Sequence, residues 1–298
     1  MPAITTTEID NAVETWVAES RYTLQERPGV IWKNLQTENL PMHKGSTVTI
    51  PKYTQVTTQA ITQGVDLTDA QTITDTGSPI TPARFGAKVI LTDDLLDTVR
   101  DDFFKVAGRI LGESFDRQRE QTLADDLDNF SLALGTAGTA MNLGHVMASL
   151  HSIKYNAPAD GTAGRGGEPA RDPVHGFFTP SQIHSLKKTM AGGIGAAGAT
   201  QVSPALERTV FSEEFEAGGV KVHSTININK DASDDAKGGV LGWGAIITAQ
   251  LGGGPSAAKE RDESLFAWEI VYSGRWGRVE YTDSHGREML FDSANPTS

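Results

Sequence analysis

Residues 92–134 read TDDLLDTVRDDFFKVAGRILGESFDRQREQTLADDLDNFSLAL, and their spacing predicts one long helix around which the rest of the chain is arranged. Thr92 is placed to cap it, with Asp93 and Asp94 in the first turn, where the helix dipole favours negative charge. Leu95 and Leu96, Val99, Phe103, Val106 and Ala107, Ile110, Leu123, Leu127, Phe130 and Leu134 recur at helical spacing. On the other face Asp101 precedes Lys105, and Glu113 precedes Arg117, in the favourable order for pairs one turn apart. No proline occurs between Pro82 and Pro158. Such a helix would span about 60 Å, roughly twice an ordinary domain helix. It cannot be buried on all sides, and is expected to act as a strut with one face under a sheet. Gly108 and Gly112 each weaken it by about 1 kcal/mol relative to alanine, so a bend or a close helix contact is expected there.

The chain has 298 residues, room for one large or two modest domains. Its 38% apolar content supports a core, and 31 glycines with many threonines point to β structure and long loops. The absence of cysteine excludes disulfides and thiolate metal sites, and fits assembly in a reducing cytoplasm. No stretch approaches a membrane-spanning length of apolar residues, and MPAITTTEIDNAV lacks the features of a signal peptide. A net charge of −12 repels nucleic-acid phosphate and anionic lipid, and no basic run opposes that. Low affinity for nucleic acid would suit a container wall that must not stick to its contents.

Taken in order, residues 1–44 form an arm with one helix, signalled by Thr7 and Asp10 and by Ile9, Val13, Trp16, Val17 and Leu24; Trp32, Leu35 and Leu40 follow. Residues 45–91 are extended: Val48 and Ile50 lead to Pro51, and Phe85 to Leu91 returns. Between them, residues 52–82 carry nine threonines and little to bury, a long polar hairpin that reads either as a disordered loop or as a β arm that packs on a neighbouring subunit. A second helix is expected over Gly144–Tyr155, then a Gly/Pro-rich loop over 156–173. A short strand over Gly176–Thr179 runs into a helix opened by Pro180. Val220–Ile228 and the apolar run Val240–Leu251 flank a charged turn at 230–238. KERDE at 259–263 reads as a charged boundary. Beyond it Phe266, Trp268, Ile270 and Tyr272 alternate, and Val279 and Tyr281 continue after an interruption at Gly274–Gly277. Met289–Phe291 is a last short strand, and no internal repeat is visible. The late strands are the sheet expected to cover the long helix.

No catalytic constellation emerges. GGIGAAG, with Gly193, Gly195 and Gly198, satisfies G-x-G-x-x-G, but a helical pattern precedes it where a dinucleotide site needs a strand. Asn227, Asn229, Asp231, Ser233 and Asp235 alternate like calcium ligands, yet Ala232 and Gly238 stand where the turn glycine and bidentate glutamate belong. The histidines are scattered: His145 and His151 fall on different helix faces and His184 on another helix, with no H-x-x-x-H pair. Asp125, Asp126 and Asp128 read as a solvated helix face. The expectation is a non-enzyme without cofactor or metal.

The order of these parts resembles the major capsid proteins of tailed double-stranded DNA bacteriophages, whose fold also builds encapsulin shells and the floor of herpesvirus capsids. The resemblance covers nearly the whole chain and rests on order and spacing, not on a diagnostic signature. An N-terminal arm leads into GSTVTIPKY through ITPARFGAKVILTDD, with Gly64-Val65-Asp66 in the loop, and then into the spine helix from Thr92. FFTPSQIHSLKK is similar to the element that begins the family's axial domain, and GGVKVHST and GGVLGWG to its later strands. AKERDESLFAWEIVYSGRWGRVEY is similar to the crossing and long strands of the peripheral domain.

The resemblance implies an α+β capsid fold: an arm over 1–44, an extended β loop over 45–91, a peripheral domain over 92–175 and 256–298, and an axial domain over 176–255. It implies hexamers and pentamers on an icosahedral shell around packaged double-stranded DNA without sequence-specific contacts, and scaffolding, portal and decoration proteins as partners. Trp16, Lys52, Tyr53, Val65 and Leu67 are the candidate inter-subunit contacts. Some relatives join subunits by a Lys–Asn isopeptide bond. Here Lys52 is the lone lysine of residues 45–82 and Asn295 the lone asparagine after Asn229, so no cross-link is expected. The short segment before the β loop implies a separate scaffolding protein or none. The rival readings are an encapsulin-like container and an enzyme using the 193–198 loop for a nucleotide cofactor.

Overall fold

The computed structural model describes residues 29–40, 46–98 apart from 55, 57, 59, 62, 65 and 67–69, 103–155, 168–196 and 215–296. Two helices are described within the long helical stretch. Helix α1 covers Asp93–Thr98 and α2 Phe103–Asp125, the latter about 35 Å long at 1.5 Å per residue; residues 99–102 lie outside the described residues. After Asp125 the chain tightens into a 3-10 turn, Asp126–Asn129, and Phe130 is extended. Leu134, expected on the helix, lies in strand β5 (Ala133–Gly135). Three carboxylates at 125, 126 and 128 oppose the negative end of the helix dipole, which accounts for the stop there. Helix α2 runs unbroken through both glycines. A Cβ on Gly112 would meet Tyr272 Oη at an ordinary 3.7 Å, and one on Gly108 would meet nothing within 4 Å. Neither glycine is required by packing within the subunit.

The first sheet orders as β1–β10–β11–β4, with β1 Gln36–Leu40, β4 Ala83–Thr92, β10 Ile246–Asp262 and β11 Ala267–Glu280. It covers α2 as expected. Ala107 and Leu111 of α2 cluster with Leu91, Leu95 and Ile270; Phe115 meets Tyr272 edge-on at 5.7 Å, and Phe104 meets Trp268 at 6.1 Å. Each such buried aliphatic side chain contributes about 1.5–3 kcal/mol.

The Gly274–Gly277 interruption is not a break. β11 pairs with β4 without a register shift from Ala267 to Trp276. Trp268, Ile270, Tyr272 and Trp276 face the helix side, while Val279 and Tyr281 belong to the opposite face with Ile80, Ile247, Val48 and Ile50. The change of parity is a change of face. The irregularity sits instead in β10, between Leu251 and Ser256. Phe266 is in the turn before β11, exposed, with φ +48°. KERDE is no boundary, because Lys259–Asp262 continue β10 against β11.

The second sheet orders as β5–β12–β9–β6–β8–β7, with β6 Arg171–Phe178, β7 Phe215–Ala217, β8 Val220–Ser224, β9 Asp235–Trp243 and β12 Gly286–Asp292. One face carries Val174, Phe178, Val220, Val222, Val240, Met289 and Phe291 under helices α3 (Leu143–Tyr155) and α4 (Pro180–Ala196). Thr179 and Gln182 form a capping box at the start of α4: Gln182 N donates to Thr179 Oγ1 at 3.3 Å and Thr179 N to Gln182 Oε1 at 3.2 Å. The strands change sheet at Gly244, whose φ of +83° suits glycine, so the expected boundary at 255/256 falls inside β10. The strand expected over Met289–Phe291 belongs, as β12, to the second sheet, as does the packing of α3. A third cluster joins the layers: Phe115, Leu123, Leu127 and Phe130 from the end of the spine with Phe177, Leu241, Ile246 and Trp276.

Candidate assembly surfaces

The extended loop is a hairpin, β2 (Val48–Tyr53) paired with β3 (Asp75–Ile80). Its base packs Val48 and Ile50 on the face of the first sheet opposite the spine. Tyr281 Oη donates to Pro51 O at 3.1 Å, and Lys52 pairs with Glu168 at 3.4 Å. Lys52, a candidate inter-subunit contact, therefore has an ion-pair partner in its own chain. Tyr53 is 65% exposed. Beyond it the strands are pinned once more, where Thr54 N donates to Thr74 O at 2.9 Å. Every described residue from 54 to 74 is exposed, including Val56, Ile61 and Ile73. Trp16, Val65 and Leu67 lie outside the described residues.

Of the arm expected over 1–44, the described segment docks on the spine. Ile31 and Leu35 are buried beside Phe115, Leu123 and Leu127, and β1 runs parallel to β10. Fully buried Glu120 holds the segment: its carboxylate accepts from Ile31 N at 2.9 Å and Trp32 N at 3.2 Å. Burial pushes the Glu120 carboxyl up, and these backbone donors and Arg119 oppose that. The Arg119 guanidinium stacks 3.6 Å from the Trp32 ring and bonds Asp116 at 2.9 Å. Sequence reading assigned Glu120 no partner, since its donors are backbone groups 88 and 89 residues away.

Asp125 and Asp128 are exposed, as expected of a solvated face, and Asp126 is half-buried, but all three have partners. Asp125 accepts from Asn229 at 3.1 Å, Asp126 takes a two-pronged bond from Arg278, and Asp128 pairs with Lys237. Each carboxylate ties the end of the spine to a different segment. Asp231 Oδ1 accepts from the Ser233 and Asp235 backbones, and Asp235 Oδ1 from Gly138 N. The calcium-like alternation is thus a turn, and the described residues include no cluster suited to a metal. Gly193 and Gly195 end helix α4 instead of preceding a helix; Gly198 lies outside the described residues. That placement gives a pyrophosphate no helix N-terminus.

The scattered histidines do include one pair. β6 and β8 run parallel, and His175 Nδ1 lies 2.9 Å from His223 Nε2 with both rings buried and stacked with Phe177. Burial, with the His223 and Lys221 charges, lowers His175 to about 4. The unfolded chain therefore binds more protons than the fold between about pH 4 and 6.5, and stability is complete above that window and lost as pH falls through it. Urea unfolding is expected to show about 2 kcal/mol less stability at pH 5 than at pH 7 from this group. In His175→Gln, which takes no proton, that part of the loss should disappear.

No family model and no curated protein sequence matches the chain. Solved structures do. The head structure of Helicobacter pylori bacteriophage KHP40 aligns over 99% of this chain and 98% of that one, with a TM-score of 0.70 and 10% identity. The capsid of Ralstonia phage GP4 aligns over 96% of both chains at 0.70 and 13%. The holo-SrpI encapsulin complex from Synechococcus elongatus PCC 7942 aligns over 100% and 98% at 0.62 and 12%. The α+β fold of this chain is that of the tailed-phage major capsid proteins, shared with encapsulin, and it extends over nearly the whole length.

Proposed function

We propose that the chain is the structural subunit of an icosahedral phage head, assembling as hexamers and pentamers around packaged double-stranded DNA. The observation that carries this reading is the exposed hairpin: Tyr53, Val56, Ile61 and Ile73 project from a fold otherwise shared end to end with shell proteins. Many such overlaps, each modest, together give the avidity a closed shell requires. The first sheet with α2 corresponds to the peripheral domain, and the second sheet with α3 and α4 to the axial domain. The partners are further copies, with scaffolding, portal and decoration proteins. The net charge of −12 keeps the wall from gripping DNA, and among the described residues no helix is long and apolar enough to cross a membrane. The subunit acts in the virion capsid after assembly in the host cytoplasm.

Electron microscopy of the purified protein, with and without scaffold, tests the reading: rings or closed shells are expected, and a persistent monomer overturns it. An encapsulin-like container is the second reading, favoured by the full-length match to an encapsulin; protein cargo in place of DNA would select it. Lys52 is committed to Glu168, so denaturing electrophoresis of intact shells is expected to give one band at the monomer mass. A ladder of covalent multimers would contradict this.

A further inference from the structure

Helices α3 and α4 cover one face of the second sheet, and the side they turn to solvent differs from the surface of the first layer. Neither helix holds an Asp or Glu along its 13 or 17 residues, in a chain with 38 of them. The helices of the first layer are the opposite: α1 opens on Asp93 and Asp94, and α2 carries Glu113, Asp116, Glu120 and Asp125. The exposed positions of α3 are Gly144, Met147, Ala148, His151 and Tyr155, with neither a carboxylate nor a lysine among them. Lys154 is turned aside, its Nζ donating to Ala170 O at 3.0 Å and to Asp172 at 2.6 Å at the start of β6.

Large apolar side chains stand in water on this face. Met147 is 52% and Tyr155 47% exposed, and Tyr155 stacks with His151, the rings 5.6 Å apart and 9° from parallel. Met147 is seated on the turn between β7 and β8: a Cβ on Gly218 would fall 2.6 Å from its Cγ, so the turn admits it only because residue 218 has no side chain. Glu216 points from the other face of β7, since Phe215 and Ala217 pack under the helices. Along α4 the border is basic. His184 and Lys188 are exposed, and Lys187 lies 5.1 Å over the Phe215 ring.

Two chains of net charge −12 repel each other. They approach at least cost where one of them presents no carboxylate, and a basic border draws the acidic surface of the other. An uncharged centre with Met and aromatic side chains inside a charged rim is the composition of a protein interface. Double-stranded DNA would need cations at the centre, where this face has Met147 and Tyr155. We propose that the outer face of α3, bordered by His184 and Lys188 of α4, docks a second copy of this chain. The contact rests on the shell reading and gives each subunit, besides the hairpin of the first layer, a docking face in the second. When it meets a different, acidic surface of the next copy, the contact is heterologous, the kind that closes rings.

The chain has no cysteine, so a single introduced thiol reports on this face. Ala148→Cys lies between Met147 and His151 at an exposed position, and Ser114→Cys, exposed on α2, is the control. Iodoacetamide labelling is timed in dilute protein, at rising protein concentration and in assembled particles. The thiol at 148 is expected to react at least about tenfold more slowly where copies meet, as for a contact closed nine-tenths of the time. Slowing that grows with concentration in a protein that never forms shells would keep the contact and remove the shell reading. A full rate in every state overturns the contact even where shells form. Equal slowing at both thiols overturns it too, being shielding by the particle as a whole, and so does slowing seen only on adding a double-stranded DNA oligonucleotide. Ala148→Glu, which sets a carboxylate on the face, should cut particle yield at least about tenfold, and Ala148→Gln, of the same size, should cut it less. Circular dichroism checks that both fold, and an Ala148→Glu protein that folds and assembles like the wild type overturns the proposal.

Discussion

Excision of residues 55–73, with Thr54 and Thr74 rejoined through Asn-Gly, is expected to leave a folded subunit that no longer closes shells. Thr54 and Thr74 already bond across the hairpin, and Asn-Gly is the preferred two-residue connection between such strands. The described residues between them are exposed, so the core loses nothing, and a shorter loop lowers the closure cost slightly. Stability should change by less than about 1 kcal/mol. Assembly should change far more if the hairpin overlaps a neighbour as proposed, because each subunit then loses that contact. The yield of sedimenting particles should fall at least tenfold: a loss of about 1.4 kcal/mol weakens one contact tenfold, and a shell compounds that over its many contacts. Normal shells from the excised protein would remove the hairpin from the assembly mechanism.

Glu120→Ala is expected to be the costliest single substitution in the spine. It strips two backbone donors of their acceptor at a fully buried position, leaves Arg119 with one carboxylate neighbour fewer, and opens a void beneath Ile31. Losses of this kind run to about 3–5 kcal/mol. Glu120→Gln should fall between it and the wild type, since one amide nitrogen must face an N–H. Urea unfolding gives the magnitude, and proteolysis near Leu35 should accelerate as the segment loses its anchor. A change below about 0.5 kcal/mol, the scale of ordinary surface substitutions, would mean that burial of Ile31 and Leu35 holds the segment unaided.

What could be read from the sequence was what is local and periodic. The 3.6-residue spacing through Leu95, Ala107 and Leu123 marked the spine, although Ile110, counted with them, is exposed and the unnamed Leu111 and Phe115 take the buried face; the alternation from Trp268 to Tyr272 marked the strand beneath it. The helix end was missed because Leu127, Phe130 and Leu134 keep apolar character while serving the joint and a strand; periodicity cannot distinguish a buried turn from another helical turn. KERDE is charged, yet its first four residues run as strand, their side chains spread over a half-exposed sheet. Pairings across long separations left no local trace: Glu120 with Ile31, Asp126 with Arg278, and His175 with His223 depend on which strands lie side by side. The TPSQ capping box at Thr179 was legible and went unread beside the more obvious Pro180.

β11 is covered on both sides, by the spine against its even-numbered residues and by the hairpin base against Val279. Its sequence is therefore read in steps of two. An insertion of one residue near Gly274 would exchange the partners of everything downstream, presenting Arg275 and Arg278 where apolar contacts are needed. An added pair would keep both surfaces in phase. Length variation in this strand should be confined to even numbers, whereas a foreign peptide grafted for display belongs in the exposed turn at Glu263–Phe266, where phase does not matter.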